Sequence, residues 1–321
     1  MTTATTAIFN PSVAAIINMA YRKIGAIAED ETPTAGMSAD AAFALNAMVK
    51  EWMATGIHVW TEEEAILFLQ QGQPRYLLGG TNNDNCCDAN GYVLAQIASP
   101  ASAGDGTVTL VTAAGISTGN YFGVVLDSGT AFWTTVNGAP VGNVVTLTSP
   151  IPTGASASAQ NFAFAYATKI VRPLLVPRVR LLYYQGLRET PMTVLSRKEY
   201  MDMPQKTNPG ISTQFFYTPQ LVSGEFYIWP NPQNANNAAR LTWHRPIMDI
   251  NTPANTIDFP QEWINACGWN LAREMGPEYD VPPPRWQIIL TEAERKLELA
   301  QNYDRESEPI YFGMDYDQAQ R

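Results

Sequence analysis

The sequence predicts an α+β protein, with a helical core carrying small β elements, an inserted all-β sandwich domain and an extended C-terminal tail. Three observations carry that expectation. Helical periodicity fills the first 60 residues and returns over 258–302. Between these stretches the apolar pattern shortens to alternating runs bounded by turn residues. Within them, residues 83–166 change composition, holding almost no Lys or Arg and many Gly, Ala, Ser, Thr and Val. The expected layout is therefore a core of 1–82 and 167–302, an insert at 83–166 and a tail at 303–321.

In the first helix Asn10 caps and Pro11 takes the first position, Val13, Ile16, Ile17, Ala20 and Ile24 form the stripe, and Arg22, Lys23 and Gly25 close the last turn. A linker through Glu31, Thr32 and Pro33 leads to a second helix capped by Ser38. Its stripe is Ala41, Leu45, Met48, Val49 and Trp52, and Gly56 stops it. From residue 57 to 78 the period becomes that of strands, with His58 and Trp60 alternating around Val59, then Leu67-Phe68-Leu69, then Tyr76-Leu77-Leu78 before Gly79-Gly80.

The insert carries six strand-like runs, at 92–97, 107–111, 121–126, 131–136, 143–148 and 161–166. Gly104-Asp105-Gly106, Asp127-Ser128-Gly129 and Asn137-Gly138 fall between them as turns, the spacing of a β-sandwich. After Lys169 come strands near 179–184, 191–195, 214–217, 225–229 and 240–244, with a short helix at 196–203. Asp258 and Pro260 then open a helix with the stripe Ile264, Cys267, Leu271 and Met275, ended by Gly276-Pro277. A last helix follows the 282–284 prolines with Trp286, Ile289, Ala293, Leu297 and Ala300 on one face.

Composition excludes several functions. The chain has 321 residues, 45% hydrophobic and only 16% charged, and its 20 Lys and Arg against 30 Asp and Glu give −10 at pH 7. An acidic field of this size opposes tight, sequence-reading DNA binding. No apolar run approaches the roughly 18 residues of a membrane span, and residues 1–10 lack the pattern of a secretory signal, so the chain reads as soluble and made in a cytoplasm. Cys86 and Cys87 are neighbours and Cys267 sits in a helix, which implies no disulfide framework.

Catalytic constellations are equally absent from the sequence. His58 and His244 stand alone, without HExxH or CxxC spacing, so no metal is expected. There is no GxSxG, no phosphate loop and no dinucleotide fingerprint, so neither covalent catalysis nor a cofactor is expected. Glu62-Glu63-Glu64 is the one acidic cluster, and three consecutive acids at a turn read as a solvated corner rather than an acid/base pair. The 14 Tyr and 8 Trp could line a sugar-binding face, although alternating aromatics more often fill a core.

The terminal stretch is suited to folding against a partner. Tyr303, Tyr311, Phe312 and Tyr316 supply apolar anchors, and Glu306, Glu308, Asp315 and Asp317 supply charge that sets register.

Several segments resemble the head-to-tail adaptor proteins, or tail accessory factors, of short-tailed bacteriophages. The N-terminal likeness rests on Ala20-Tyr21-Arg22-Lys23-Ile24-Gly25, on Glu31-Thr32-Pro33 and on Leu45-Asn46-Ala47-Met48 leading to Glu51-Trp52. Further on, Ser196-Arg197-Lys198-Glu199-Tyr200 with Pro204, Lys206 and Gly210 resembles the family's S-R-x-E-Y stretch, Ile228-Trp229-Pro230-Asn231-Pro232 its W-P-x-P strand end, and Pro277-Glu278-Tyr279 its helix-to-helix break. The likeness covers most of 11–82 and 167–302 and leaves out 83–166. It implies a non-enzymatic virion protein at the head-tail junction, a twelve-fold homo-oligomeric ring below the portal protein, contact with the tail tube or nozzle and with tail fibres, no membrane partner, and DNA passing through the lumen without sequence-specific binding. By the same likeness the 303–321 segment docks on the portal. The competing expectation is a cell-wall-directed virion component, either a carbohydrate-binding module or a glycosidase using an acidic pair.

Overall fold

The computed structural model describes residues 9–55, 59–81, 83–252 and 254–304. Among them are five helices, α1 (Val13–Ile24), α2 (Ala35–Thr55), α3 (Arg197–Asp202), α4 (Ile264–Met275) and α5 (Pro283–Tyr303). Numerous short strands accompany them, so the protein is of mixed α+β class. The chain divides into two compact units, Met1–Trp60 with Ile247–Arg321, and Thr61–Pro246.

The first unit is helical. Sequence places the α1 cap at Asn10, but the extended backbone of Ser12 brings its Oγ to accept from Ala15 N at 3.4 Å, and the helix starts two residues later, at Val13. At the other end Gly25 takes φ 81°, a conformation open to glycine, and its N–H reaches the Tyr21 and Arg22 carbonyls. α2 likewise begins a turn before the expected Ser38, because Thr34 Oγ1 accepts from Met37 N at 3.3 Å.

The expected stripes pack together. Val13, Ile16, Ile17, Leu45, Met48, Leu271 and Met275 share one core, each large aliphatic contributing about 1.5–3 kcal/mol of transfer free energy when fully buried. Trp52, Trp60, Phe259 and Trp263 form its aromatic end, with ring centroids 5.1 to 6.2 Å apart. Asn270, fully buried on α4, donates from Nδ2 to the Ala266 and Ala293 carbonyls at 3.0 and 3.1 Å, and the second bond ties α4 to α5. A 3-10 turn, Gln261–Trp263, precedes α4 where the sequence opens the helix at Asp258.

The second unit holds the strands. In chain order they are β1 (Glu62–Phe68), β2 (Arg75–Leu78), β3 (Cys86–Asp88), β4 (Tyr92–Gln96), β5 (Thr107–Thr109), β6 (Tyr121–Val125), β7 (Ala131–Thr135), β8 (Val144–Thr146), β9 (Phe162–Tyr166), β10 (Leu175–Tyr183), β11 (Arg188–Pro191), β12 (Thr193–Val194), β13 (Pro209–Gly210), β14 (Gln214–Pro219), β15 (Gly224–Trp229), β16 (Asn231–Pro232) and β17 (Asn237–His244). Each of the six runs expected between 92 and 166 contains a strand. They form the sheet β4-β9-β6-β7 and the pair β5-β8, which enclose Val108, Phe122, Val124, Val145 and Ala163.

The remaining strands form the sheet β11-β10-β17-β1-β3, the sheet β12-β14-β15-β2 and the parallel pair β13-β16, and the two larger sheets are joined by a core that includes Leu67, Tyr76, Val179, Phe215, Phe226 and Leu241. On its other face the five-stranded sheet meets the β4-β9-β6-β7 sheet. Ile66, Phe68, Leu182, Tyr184 and Ala238 pack there against Val125, Phe164 and Tyr166. Glu62, Glu63 and Glu64, expected at a turn, are the first three residues of β1, because β17 pairs with them residue for residue.

Candidate functional site

The chemically richest cluster grows out of that pairing. Side chains two apart on a strand share a face, so Glu62 and Glu64 of β1 line up with Arg178 and Arg180 of β10 and with Arg240 and His244 of β17. Glu189 on β11 completes the set. Glu64 Oε2 accepts from Arg240 Nε at 2.9 Å, and its Oε1 meets Arg180. Glu189 closes the ring, accepting from Arg240 Nη1 at 2.8 Å and pairing with Arg180 Nη1 at 3.0 Å. Arg178 lies 3.6 Å from Glu62, and on the opposite face Arg245 donates from Nε to Glu63 at 2.7 Å.

Burial pushes the Glu64 carboxyl up, but hydrogen bonds and charge from Arg240 and Arg180 outweigh it and hold the group below the usual carboxylate range. Burial also works against the Arg240 charge, and Glu64 and Glu189 overcome it and raise its pKa. A general acid needs the reverse, a carboxyl held up toward neutrality. Three acids matched to neighbouring guanidinium groups make a lateral clasp between strands. With about a third of each side chain open to water, each such pair is worth about 0.2–1 kcal/mol.

The other candidate groups are structural in their surroundings. His244 is buried with Nδ1 3.2 Å from Thr61 Oγ1, while His58 lies outside the described residues. Burial raises the thiols of Cys86, Cys87 and Cys267 far above their usual range, which disfavours the nucleophilic thiolate. Among the described residues no group of His, Cys, Asp and Glu is placed to hold a metal.

Of the residues expected to dock a partner, Tyr303 is the last residue of α5, not the first of an irregular tail, and it is 68% exposed. The physical reason is that the α5 backbone ladder continues one residue further before Asp304 N caps onto Ala300 O at 3.2 Å. Glu306, Glu308, Tyr311, Phe312, Asp315, Tyr316 and Asp317 lie outside the described residues.

The motif residues, in contrast, are brought together in pairs. Tyr21 donates to the Met37 carbonyl at 2.8 Å and accepts from Tyr279 Oη at 3.2 Å, the two rings meeting edge to face at 5.4 Å. Ser196 and Glu199 form a capping box, with each side chain accepting the other's backbone N–H, at the start of α3. That helix buries Tyr200 beside Phe216 and Tyr227. Trp229, at the end of β15 before a cis Pro230, donates from Nε1 to the Gln205 carbonyl at 2.9 Å, while Lys206 lies over the Tyr200 ring. The arginines of the clasp escaped the sequence reading, although Arg178 and Arg180 alternate across the start of the strand-like run at 179–184, which is the signal for a charged strand face.

No protein-family model matches the chain, and no curated protein matches it.

Proposed function

We propose that the protein is a head-to-tail adaptor of a short-tailed bacteriophage, a structural virion protein that forms a ring below the portal, joins it to the tail and lets DNA pass. The observation that carries this reading is the order and spacing of the adaptor-like segments, supported by their pairing in space: Tyr21 with Tyr279, and the 196–206 stretch with Trp229. In this reading 1–82 and 167–302 are the adaptor core with its small β elements, 83–166 is an inserted β-sandwich, and the segment that runs from Tyr303, the last residue of α5, to Arg321 docks on the portal.

Three further features support it. The exposed face of α2 carries 77%-exposed Phe43 in line with Ala39 and Ala47, flanked by Asp40, Lys50 and Glu51, and an aromatic ring left in water there suits contact with a neighbour, here the next copy in a ring. The engaged state of Glu62, Glu63 and Glu64 favours a non-enzymatic role over a glycosidase. The charge of −10 suits a channel wall that guides DNA, whereas a basic wall would hold phosphates by counterion release.

The test is attachment to portal rings. Ending the chain at Asn302 is expected to leave the fold intact and to abolish stable attachment, because a polar segment repays its ordering entropy, of order 1–2 kcal/mol per residue, only against a partner. Tyr311→Ala with Phe312→Ala should weaken attachment more than neutralising Glu306, Glu308, Asp315 and Asp317. Wild-type attachment by the truncated chain in physiological salt refutes the docking role. Light scattering with and without portal separates a ring from a wall hydrolase, which needs none.

A further inference from the structure

Where the turn before β9 faces the end of β10, the second unit has an open cleft of about 660 Å³. This falls within the range of small-molecule sites, roughly 300–1,000 Å³. Its lining is unusual in chemistry. Gln160, Gln185, Asn236 and Asn237 present carboxamides, and Tyr183 and Arg188 form one wall, the guanidinium 4.6 Å from the ring centroid. Among the lining residues there is no carboxylate and a single cation.

The frame around these side chains is fixed while the amides themselves are not spent on it. Gln160 N donates to the Ile97 carbonyl at 2.8 Å, and Asn161 Nδ2 is held by the Val125 carbonyl at 3.1 Å and Asp127 Oδ1 at 2.9 Å. Among the described residues, the side-chain amides of Gln160, Gln185, Asn236 and Asn237 make no hydrogen bond. The backbone is also held in left-handed conformations at this place, φ 74° at Gln160, 77° at Gly186 and 49° at Leu187. Only one other non-glycine residue among those described, Asp280, shares that region. Such conformations persist where surrounding structure imposes them, and they gather at ligand sites.

We infer that this cleft binds a saccharide. A carboxamide offers a donor and an acceptor side by side, the complement of a sugar's vicinal hydroxyls, each of which both donates and accepts. The lining opposes other classes. One arginine without a helix N-terminus or a glycine-rich loop is a poor phosphate cradle, polar walls do not hold an apolar ligand, and amides without carboxylate or thiolate do not hold a metal. The site is independent of the adaptor reading, which stands or falls on portal attachment.

The test uses the full chain on an array of immobilised neutral and uronic-acid oligosaccharides, followed by titration calorimetry with the sugars retained. Retention is expected, and Gln185→Ala with Asn236→Ala, both exposed positions, should weaken it tenfold or more with an unchanged circular dichroism spectrum. Arg188→Gln then separates the two sugar types: a large loss marks a uronic-acid ligand and a small one a neutral ligand, and either supports the cleft. Absence of retention on every sugar, or retention unaffected by the double variant, overturns the proposal.

Discussion

The side of the five-stranded sheet that faces the β4-β9-β6-β7 sheet is built from two halves that solve burial in opposite ways. Ile66, Phe68, Leu182 and Ala238 lie under β4, β7 and β9 and are nearly inaccessible, whereas Glu62, Glu64, Arg178 and Arg180, a few residues back along the same strands, keep 28% to 55% of their side chains in water. β1, β10 and β17 run through both halves with one alternation. The difference follows from what covers each half. Where aromatic side chains of β4, β7 and β9 close over the sheet, apolar residues gain from leaving water. Where that cover is not supplied, opposite charges pair sideways across the strands.

The covered half should therefore be far the more sensitive to truncation. Phe68 touches Tyr92, Trp133, Phe164 and Tyr166 with centroid distances of 4.8 to 5.9 Å. Phe68→Ala is expected to cost about 3–5 kcal/mol, read from urea unfolding. A loss below about 1 kcal/mol would mean that β4, β7 and β9 do not seal this face.

Adding volume tests the same seal from the other side. Gly123 sits opposite Trp133 in the β6–β7 register, and a methyl group there would lie 2.7 Å from the indole ring. Gly123→Ala should destabilise by about 1–3 kcal/mol through overpacking. A melting temperature unchanged from wild type would place the indole elsewhere.

Cys87 reports on closure without a mutation of its own. It is 1% exposed in the core shared with Phe164 and Tyr166, and burial keeps its thiol protonated. In the native protein it should resist an aromatic disulfide reagent, and Phe68→Ala should speed its labelling by at least tenfold. Rapid labelling of the wild type would break the contrast between the two halves.

The charged half should respond least, and through pH. Glu64 has its carboxyl depressed by Arg240 and Arg180, so its contribution is present above the ordinary value of 4.5 and is lost as pH falls through the lower folded value. Glu64→Gln should cost up to about 1 kcal/mol at pH 7, less in high salt, and its difference from wild type should vanish under acid. Denaturant midpoints measured from pH 7 down to pH 3 check the sign. A difference that grows on acidification contradicts it.

Helix stripes, the Gly25 stop, the six strand runs between 92 and 166 and the buried state of Cys267 were legible in the sequence, because caps and periodicities act over a few neighbouring residues. Helix starts were less so: Ser12 and Thr34, rather than Asn10 and Ser38, supply the capping oxygens, since several nearby side chains could serve and backbone geometry selects one. That Tyr21 would meet Tyr279, far along the chain, could not be read from the sequence.

The sequence by itself determined which residues are apolar, where most elements lie and the acidic balance of the whole. Only tertiary structure decided that Glu62, Glu63 and Glu64 belong to a strand, that Glu64 lies opposite Thr242, and that Glu189, Arg180 and Arg240 close around it. A run of three acids carries no strand signal, and partners more than 100 residues away leave no local periodicity. The pairing is set by strand order and register, which depend on the whole chain.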